Sequence, residues 1–380
     1  MKVLYIIDTI NGSGAERSLV EITSNFENVT PVFVHIYPGE MLKEYLESKE
    51  IKVYSLNITK KYGYNEAVKR LVDIYKKEIP DLIHSTLYRS DMIARRLKKK
   101  FPEIPLVGSF VNNSYNPLRY TDKSLSLKLK LYFSYLQDRI TAKKVDFFIS
   151  NSETIKKAEG NALNIPQEKI KVIHRGRDPR RFTVVQSSKV KNLKDSLELH
   201  GKNVLVNVSR LIERKGQLDI IGIMPDIVKS FPNTVLLIAG HGSFREILEA
   251  EISNLGMEQH IKLLGRFGKI PELLKATDIF LYPSYAEGLP GALIEAMMAG
   301  KIIINSDIGE NMECVGSNSS IVFPVGNTKT LKNKVFQVLN EVDSYRYLET
   351  RAKKLALERF DIKMIAKEYE RTYSELINNG

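Results

Sequence analysis

Short apolar runs alternate with longer amphipathic stretches from one end of the chain to the other. In the first half KVLYII, PVFVHI, KVYSL, LIHS, PLVGSF, DFFIS and KVIH read as strands, and in the second half NVLVNVS, TVLLIAG, IKLLG, DIFLYP and KIIINS do. Between them, segments such as GAERSLVEITSNF and YNEAVKRLVDIYKKEI carry apolar residues at helical spacing. Strand–helix alternation of this kind predicts parallel sheets covered by helices on both faces. The tail, DIKMIAKEYERTYSELI, reads as a terminal amphipathic helix.

A chain of 380 residues is long enough for two domains with separate cores. The polar stretch TVVQSSKVKNLKDSLELH, residues 183–200, is the expected linker. It divides the chain into residues 1–182 and 201–360, with the helix 361–380 at the end. Two α/β domains of this type would face a cleft between the carboxyl ends of their strands, where ligands bind.

Composition narrows the class. The apolar fraction, 43%, is ordinary for a globular protein. Cys314 is the one cysteine, which rules out an internal disulfide and fits a reducing compartment. MKVLYIIDTINGSG turns polar too early for a signal peptide, and no run approaches the length of a membrane span. The expected location is cytoplasmic. The net charge of +12 is uneven: residues 1–182 carry 32 Lys+Arg against 21 Asp+Glu, and the rest 25 against 24. Basic charge on the first half suits an anionic partner such as nucleic acid, an acidic substrate or anionic lipid headgroups, or is simply a solvated basic surface.

The segment PSYAEGLPGALIEAMMAGKIII, residues 283–304, is where chemistry concentrates. DIFLYPS is a strand, YAEGLP its outgoing turn, and PGALIEAMMAG a helix with Pro290 early and Gly300 at its end. The N–H groups at such a helix start suit a phosphate. Glu287, just before it, can accept from hydroxyls. Glu295 is a lone carboxylate in an apolar helix and needs a partner. A sugar diol suits it; so does a buried salt bridge, with Glu287 as a helix cap.

E-G-L-P-G-A-L-I-E-A-M-M-A-G-K resembles the E-x7-E segment of retaining glycosyltransferases of family four, which have the GT-B fold. NGSGAER, ISNSETIKKAEG, IPQEKIKVIHRGRDPRRF, VSRLIERKGQ, IAGHGSFREIL and LLGRFGKIPELLKATDIFLYPS continue the resemblance in order. It implies two Rossmann-like domains, an acceptor-side first domain and a donor-binding second one. It places Glu287 on the donor sugar with the backbone of Gly288, Leu289 and Pro290, and Glu295 on the ribose. Arg210 and Lys215 would neutralise the diphosphate without a metal or other cofactor. Gly240 and Gly242 would allow close backbone approach, and Arg266 would lie near the base. Gly12 and Gly14, in a G-x-G-x-x-R loop, would face a ligand across the cleft; the loop lacks the third glycine of a dinucleotide fingerprint.

The chain departs from the family in places. Val111 and Asn112 stand where a histidine is usual after the fifth strand, which leaves His84 as the nearest histidine, either facing the cleft as a catalytic residue or ending its strand inertly. RGRD, residues 175–178, replaces Asn-Gly-Val-Asp, and its Arg177 could reach an anionic acceptor. KSLSLKLKLYFSYLQDRITAKK, residues 123–144, is expected to be a core-facing helix; lying on a membrane is its alternative. With RRLKKK at 95–100 it raises a peripheral membrane association.

The resemblance implies a retaining transfer of a sugar from a nucleotide sugar, a UDP-sugar above all, to a glycan or lipid-linked acceptor in cell-surface polysaccharide or lipopolysaccharide synthesis. A GT-B nucleotide-sugar epimerase would need acid and base residues that the sequence does not nominate. A nucleic-acid-binding protein would need aromatic-interleaved basic patches, which the basic runs lack.

Overall fold

The computed structural model describes residues 1–60, 62–117 and 124–378. The chain forms two compact units, one of residues 1–176 with 362–380 and one of 177–361. The first holds a seven-stranded sheet: β1 (Lys2–Ile7), β2 (Thr30–His35), β3 (Lys52–Ser55), β4 (Leu82–Thr86), β5 (Leu106–Phe110), β6 (Phe147–Ser150) and β7 (Ile170–Val172). Its order is β3-β2-β1-β4-β5-β6-β7. The second holds β8 (Asn203–Val208), β9 (Thr234–Ala239), β10 (Ile261–Gly265), β11 (Ile279–Tyr282), β12 (Ile302–Ser306) and β13 (Ile321–Phe323), in the order β10-β9-β8-β11-β12-β13. Every strand pair is parallel.

All twelve strands expected from the apolar runs form. The thirteenth, β13, is a three-residue strand at a sheet edge, as short as β7, and was not read from the sequence. Central strands are buried on both faces because helices cover both. Leu4, Ile6, Val32 and Ile83 pack to one side of the first sheet, and Val3, Tyr5, Ile7 and Phe33 to the other.

Among the helices that cover the sheets are α1 (Gly14–Thr23), α2 (Tyr88–Lys100), α3 (Leu125–Thr141), α4 (Ser187–Leu197), α5 (Gly291–Met298) and α6 (Ile362–Asn378). The expected linker, residues 183–200, instead contains α4, whose Leu193 is buried in the second unit's core. Its polarity is that of a helix with most of its surface in water. The chain passes between units at 176/177 and again at 361/362, so α6 belongs to the first unit. There Glu370 Oε1 accepts the backbone N–H groups of Glu27, Asn28 and Val29 at 2.8, 2.5 and 3.0 Å.

Two expectations about the first unit need correction. α3 does not face the core along its length: Asp138 is its one buried residue among those described. Lys123, in the same expected segment, lies outside the described residues. In the basic run on α2, Arg95 is not a surface charge. It is buried and donates to Asp138 Oδ1 at 2.5 Å, which ties α2 to α3.

His84 does not face solvent either. It is fully buried on β4, with Nδ1 2.6 Å from the Tyr373 hydroxyl and Nε2 2.6 Å from Ser109 Oγ. Tyr373 in turn lies 2.9 Å from the Tyr5 hydroxyl, and the rings of Tyr5 and Tyr369 pack near the imidazole. Both ring nitrogens are thus spent inside the first unit, and burial lowers the imidazole pKa to about 3. His84 is a structural histidine that locks α6 to the sheet.

This burial has a pH signature. Between about pH 6.5 and 3 the unfolded imidazole binds a proton that the folded one refuses, so stability falls as pH falls through that window. The slope contributed is about 1.4 kcal/mol per pH unit. Urea midpoints measured from pH 7 to pH 4 should fall less steeply in His84→Gln than in the wild type; equal slopes would contradict a buried neutral histidine.

Candidate functional site

In the second sheet the strand order reverses between β8 and β11, the place where loops leaving the carboxyl ends of an open α/β sheet run in opposite directions. Those loops carry Arg210 and Lys215 on one side and Glu287 on the other. The loop after β9 supports the first of them by direct backbone packing. A Cβ on Gly240 would fall 1.8 Å from the Ser209 carbonyl oxygen, and one on Gly242 would fall 2.1 Å from that of Leu211. The close approach expected of these two glycines is therefore to the chain's own loop. Arg210's carbonyl accepts from Gln217 Nε2 at 2.8 Å, which fixes the turn that presents its side chain.

Lys215 and Glu287 form a buried ion pair across this point of reversal, Nζ donating to Oε1. Tyr282 and Ser284 each donate a hydroxyl to the same oxygen at 2.7 Å. Three donors thus converge on Oε1, and Oε2 takes none among the described residues. Burial alone pushes the Glu287 carboxyl up; the Lys215 charge and these hydrogen bonds outweigh it and hold the group below the usual glutamate range. Burial pulls the Lys215 ammonium down, with Glu287 opposing and Arg214 and Arg210 adding to the fall. Gly288, Leu289 and Pro290 follow, all buried, and lead to the first turn of α5 at Gly291.

Positive charge gathers around the pair. The Arg210 guanidinium is lowered by burial and then by Arg214. His241, in the loop after β9, is lowered by burial and then by Arg266 and Arg210. Like charges this close, with Glu287 as the main counter-charge, make a site that an anion stabilises. Arg214 and His241 were not singled out from the sequence; ERKG and GHG give no period or motif that marks them. Glu310 was also missed. It is buried after β12, and burial, with Glu287 among the lesser causes, raises its carboxyl.

Glu295 sits one helical turn inside α5 and is partly exposed. Its Oε1 accepts from Arg177 Nε at 2.8 Å. Arg177 is nearly buried, and its guanidinium lies across the start of α5, where a Cβ on Gly291 would be 2.1 Å from Nη2. A side chain there would push the guanidinium aside. Arg177 was expected toward an acceptor; the structure puts it in the second unit against Glu295, because the chain has already crossed between units at residue 176. Of the two partners that the sequence left open for Glu295, the salt bridge is present.

The first unit holds the remaining candidates. Gly12 has φ +83°, in the left-handed region, whereas Gly14 would tolerate a Cβ, 3.6 Å from the Arg175 guanidinium. Glu16 is buried and closes a capping box with Ser13, accepting its N–H at 2.6 Å. Asn112 lies in the loop after β5, partly exposed. Among the described residues no group of three or more His, Cys, Asp or Glu could hold a metal ion.

Comparison with known proteins bears on this arrangement. Residues 12–181 match the model described as Glycosyltransferase Family 4, and residues 188–355 match Glycosyl transferases group 1. The chain is 26% identical over 325 residues to a Staphylococcus aureus capsular polysaccharide biosynthesis glycosyltransferase, covering 82% of this chain and 83% of that one. It is 27% identical over 323 residues to the Campylobacter jejuni N,N'-diacetylbacillosaminyl-diphospho-undecaprenol alpha-1,3-N-acetylgalactosaminyltransferase, covering 81% of each. The Anabaena protein HepE, solved in complex with UDP-glucose, superposes with a TM-score of 0.86 at 22% identity, over 99% of this chain and 100% of that one. These matches favour neither an epimerase nor a nucleic-acid-binding protein. With two Rossmann-like units and family matches that together span most of its length, this chain belongs to the group 1, family 4 glycosyltransferases of the GT-B fold.

Proposed function

We propose that this glycosyltransferase moves a sugar, with retention of anomeric configuration, from a UDP-sugar to a lipid-diphosphate-linked glycan in cell-surface polysaccharide synthesis. The observation that carries the reading is the buried Lys215–Glu287 pair, set beside Arg210 and Arg214 just before the start of α5. That is a site for an anion joined to hydroxyl-bearing groups. HepE binding UDP-glucose and the C. jejuni enzyme's diphospho-undecaprenol acceptor support the two substrate classes by analogy.

In this reading Arg210 and Lys215 hold the donor diphosphate and stabilise the charge that grows on it as the bond to the sugar breaks. Glu287 keeps Oε1 on Lys215, Tyr282 and Ser284 and offers Oε2 to sugar hydroxyls. The N–H groups of Gly288, Leu289 and the first turn of α5 add donors. Glu295 takes the ribose diol, oriented by Arg177, and Arg266 lies near the base. Gly12, Gly14 and Asn112 belong to the acceptor-side unit. The C1–oxygen bond to the diphosphate breaks, the acceptor oxygen bonds C1 on the same face, and its proton passes to the departing phosphate. Glu287 is no nucleophile in this scheme, since its charge is already matched by Lys215. The enzyme works without a metal, on the cytoplasmic face of a membrane.

Calorimetry against a panel of nucleotides should show UDP binding, weakened roughly tenfold to a hundredfold in Glu295→Ala, because a hydrogen bond to a charged group is worth roughly 1.5–3 kcal/mol. No affinity for any nucleotide would overturn the donor reading, and unchanged affinity in a folded Glu295→Ala would remove the ribose role.

UDP release from a donor sugar should be the same with and without EDTA. Activity lost in chelator and restored by Mg²⁺ or Mn²⁺ would assign the diphosphate to a metal instead of Arg210 and Lys215.

A further inference from the structure

α3 has two faces. On one, Asp138 is buried against Arg95 and accepts from the Tyr115 hydroxyl, and Tyr135 donates its hydroxyl to the Ala162 carbonyl at 3.0 Å. The opposite face is apolar and in water. Leu125, Leu129, Tyr132, Phe133 and Ile140 are 75, 51, 53, 67 and 69% exposed. They fall at i, i+4, i+7, i+8 and i+15, so they form one stripe along the helix. A monomeric surface rarely gathers large apolar side chains this way without a partner.

The charges around the stripe identify that partner. Lys128, Lys130 and Arg139 are exposed on the same helix, and Lys143 and Lys144 are exposed in the turn that follows. Asp138 is the only acid between residues 125 and 145, and it is buried. The unit that bears α3 also carries most of the chain's surplus charge: 32 Lys+Arg against 23 Asp+Glu, compared with 25 against 22 in the other. A second copy of this face would bring cations against cations. An anionic bilayer offers the opposite: hydrocarbon for the stripe and phosphates for the lysines. Among the described residues no helix is long and apolar enough to cross a membrane, so the contact is interfacial.

We propose that α3 seats the enzyme on an anionic membrane, with Leu125, Leu129, Phe133 and Ile140 in the headgroup–acyl boundary and Lys128, Lys130, Lys143 and Lys144 at the phosphates. This rests on the membrane-face reading above but not on the donor chemistry. It also relocates the membrane contact from the basic run on α2, where Arg95 is buried, Lys98 pairs with Asp146 and Arg96 lies over the Tyr64 ring.

The chain contains no tryptophan, so Phe133→Trp supplies a single reporter at the centre of the stripe. With vesicles containing phosphatidylglycerol its emission should shift to the blue and be quenched by brominated acyl chains. Vesicles of phosphatidylcholine alone should give neither effect. Leu129→Asp with Ile140→Asp should abolish sedimentation with the anionic vesicles. Replacing Lys128, Lys130, Lys143 and Lys144 by Gln should weaken it by about fivefold per charge at low salt. Nucleotide affinity should be unchanged in both variants, which separates failure of this proposal from failure of the donor reading. A water-like Trp emission with anionic vesicles, or vesicle binding that survives the Asp variant, would overturn the proposal. So would a lipid-free dimer that Leu129→Asp dissolves, which would make the stripe a contact between copies.

Discussion

The second unit turns on one buried ion pair. Lys215 and Glu287 come from loops on either side of the point where the strand order reverses, and both are nearly excluded from water. Taking two such charges out of solvent costs several kcal/mol each, and their attraction offsets this only when the remaining polar atoms are satisfied. Tyr282 and Ser284 meet that condition at Oε1. The surrounding backbone is built to keep the two loops in register: the Tyr285 N–H donates to the Arg214 carbonyl at 2.9 Å, and the Tyr285 hydroxyl donates to Asp219 at 2.9 Å. The pair therefore fixes both loops and presents one carboxylate oxygen in a set position.

A fixed pair of this kind shapes the field around it. Glu287 is neutralised by Lys215, so Arg210 and Arg214 are left in excess, next to a helix start that is itself partly positive. Arg177 adds a further cation there, made tolerable by Glu295 four residues into α5 and by the missing side chain of Gly291. The combination favours a ligand with concentrated negative charge. It also explains why Glu295 survives in an otherwise apolar helix without being a stability liability.

The first unit solves a different problem. Its terminal helix, α6, arrives from far along the chain and is held by polar contacts inside a largely apolar interface: Tyr373 to His84 and Tyr5, and Glu370 to three backbone N–H groups. On the same unit, α3 is tied by the buried Arg95–Asp138 pair and leaves its apolar stripe outward. An ion pair, rather than a hydrophobic seam, anchors this helix, and that choice leaves its leucines available for something else.

Much of this was legible in the sequence, for physical reasons that differ by element. Parallel strands buried on both faces must be continuous apolar runs, so the central strands could be read directly, whereas β13, three residues at a sheet edge, was not, although the equally short edge strand β7 was. Glu287 and Glu295 stood out as carboxylates just before and inside an apolar helix, whereas Arg210 and Lys215 were named only through the family resemblance of VSRLIERKGQ. What the sequence left open were partners and directions. Glu295 could take a diol or a salt bridge, and only the position of Arg177 after the crossover at residue 176 shows that the salt bridge forms. His84 looked like a strand-end histidine near the site, but Tyr373, from a helix almost three hundred residues away, closes over it. For α3, apolar residues on two sides of the helix blur its period, and only packing shows which side is buried. Local pattern determines which elements form; which face meets what depends on segments distant in the chain, and that is decided in three dimensions.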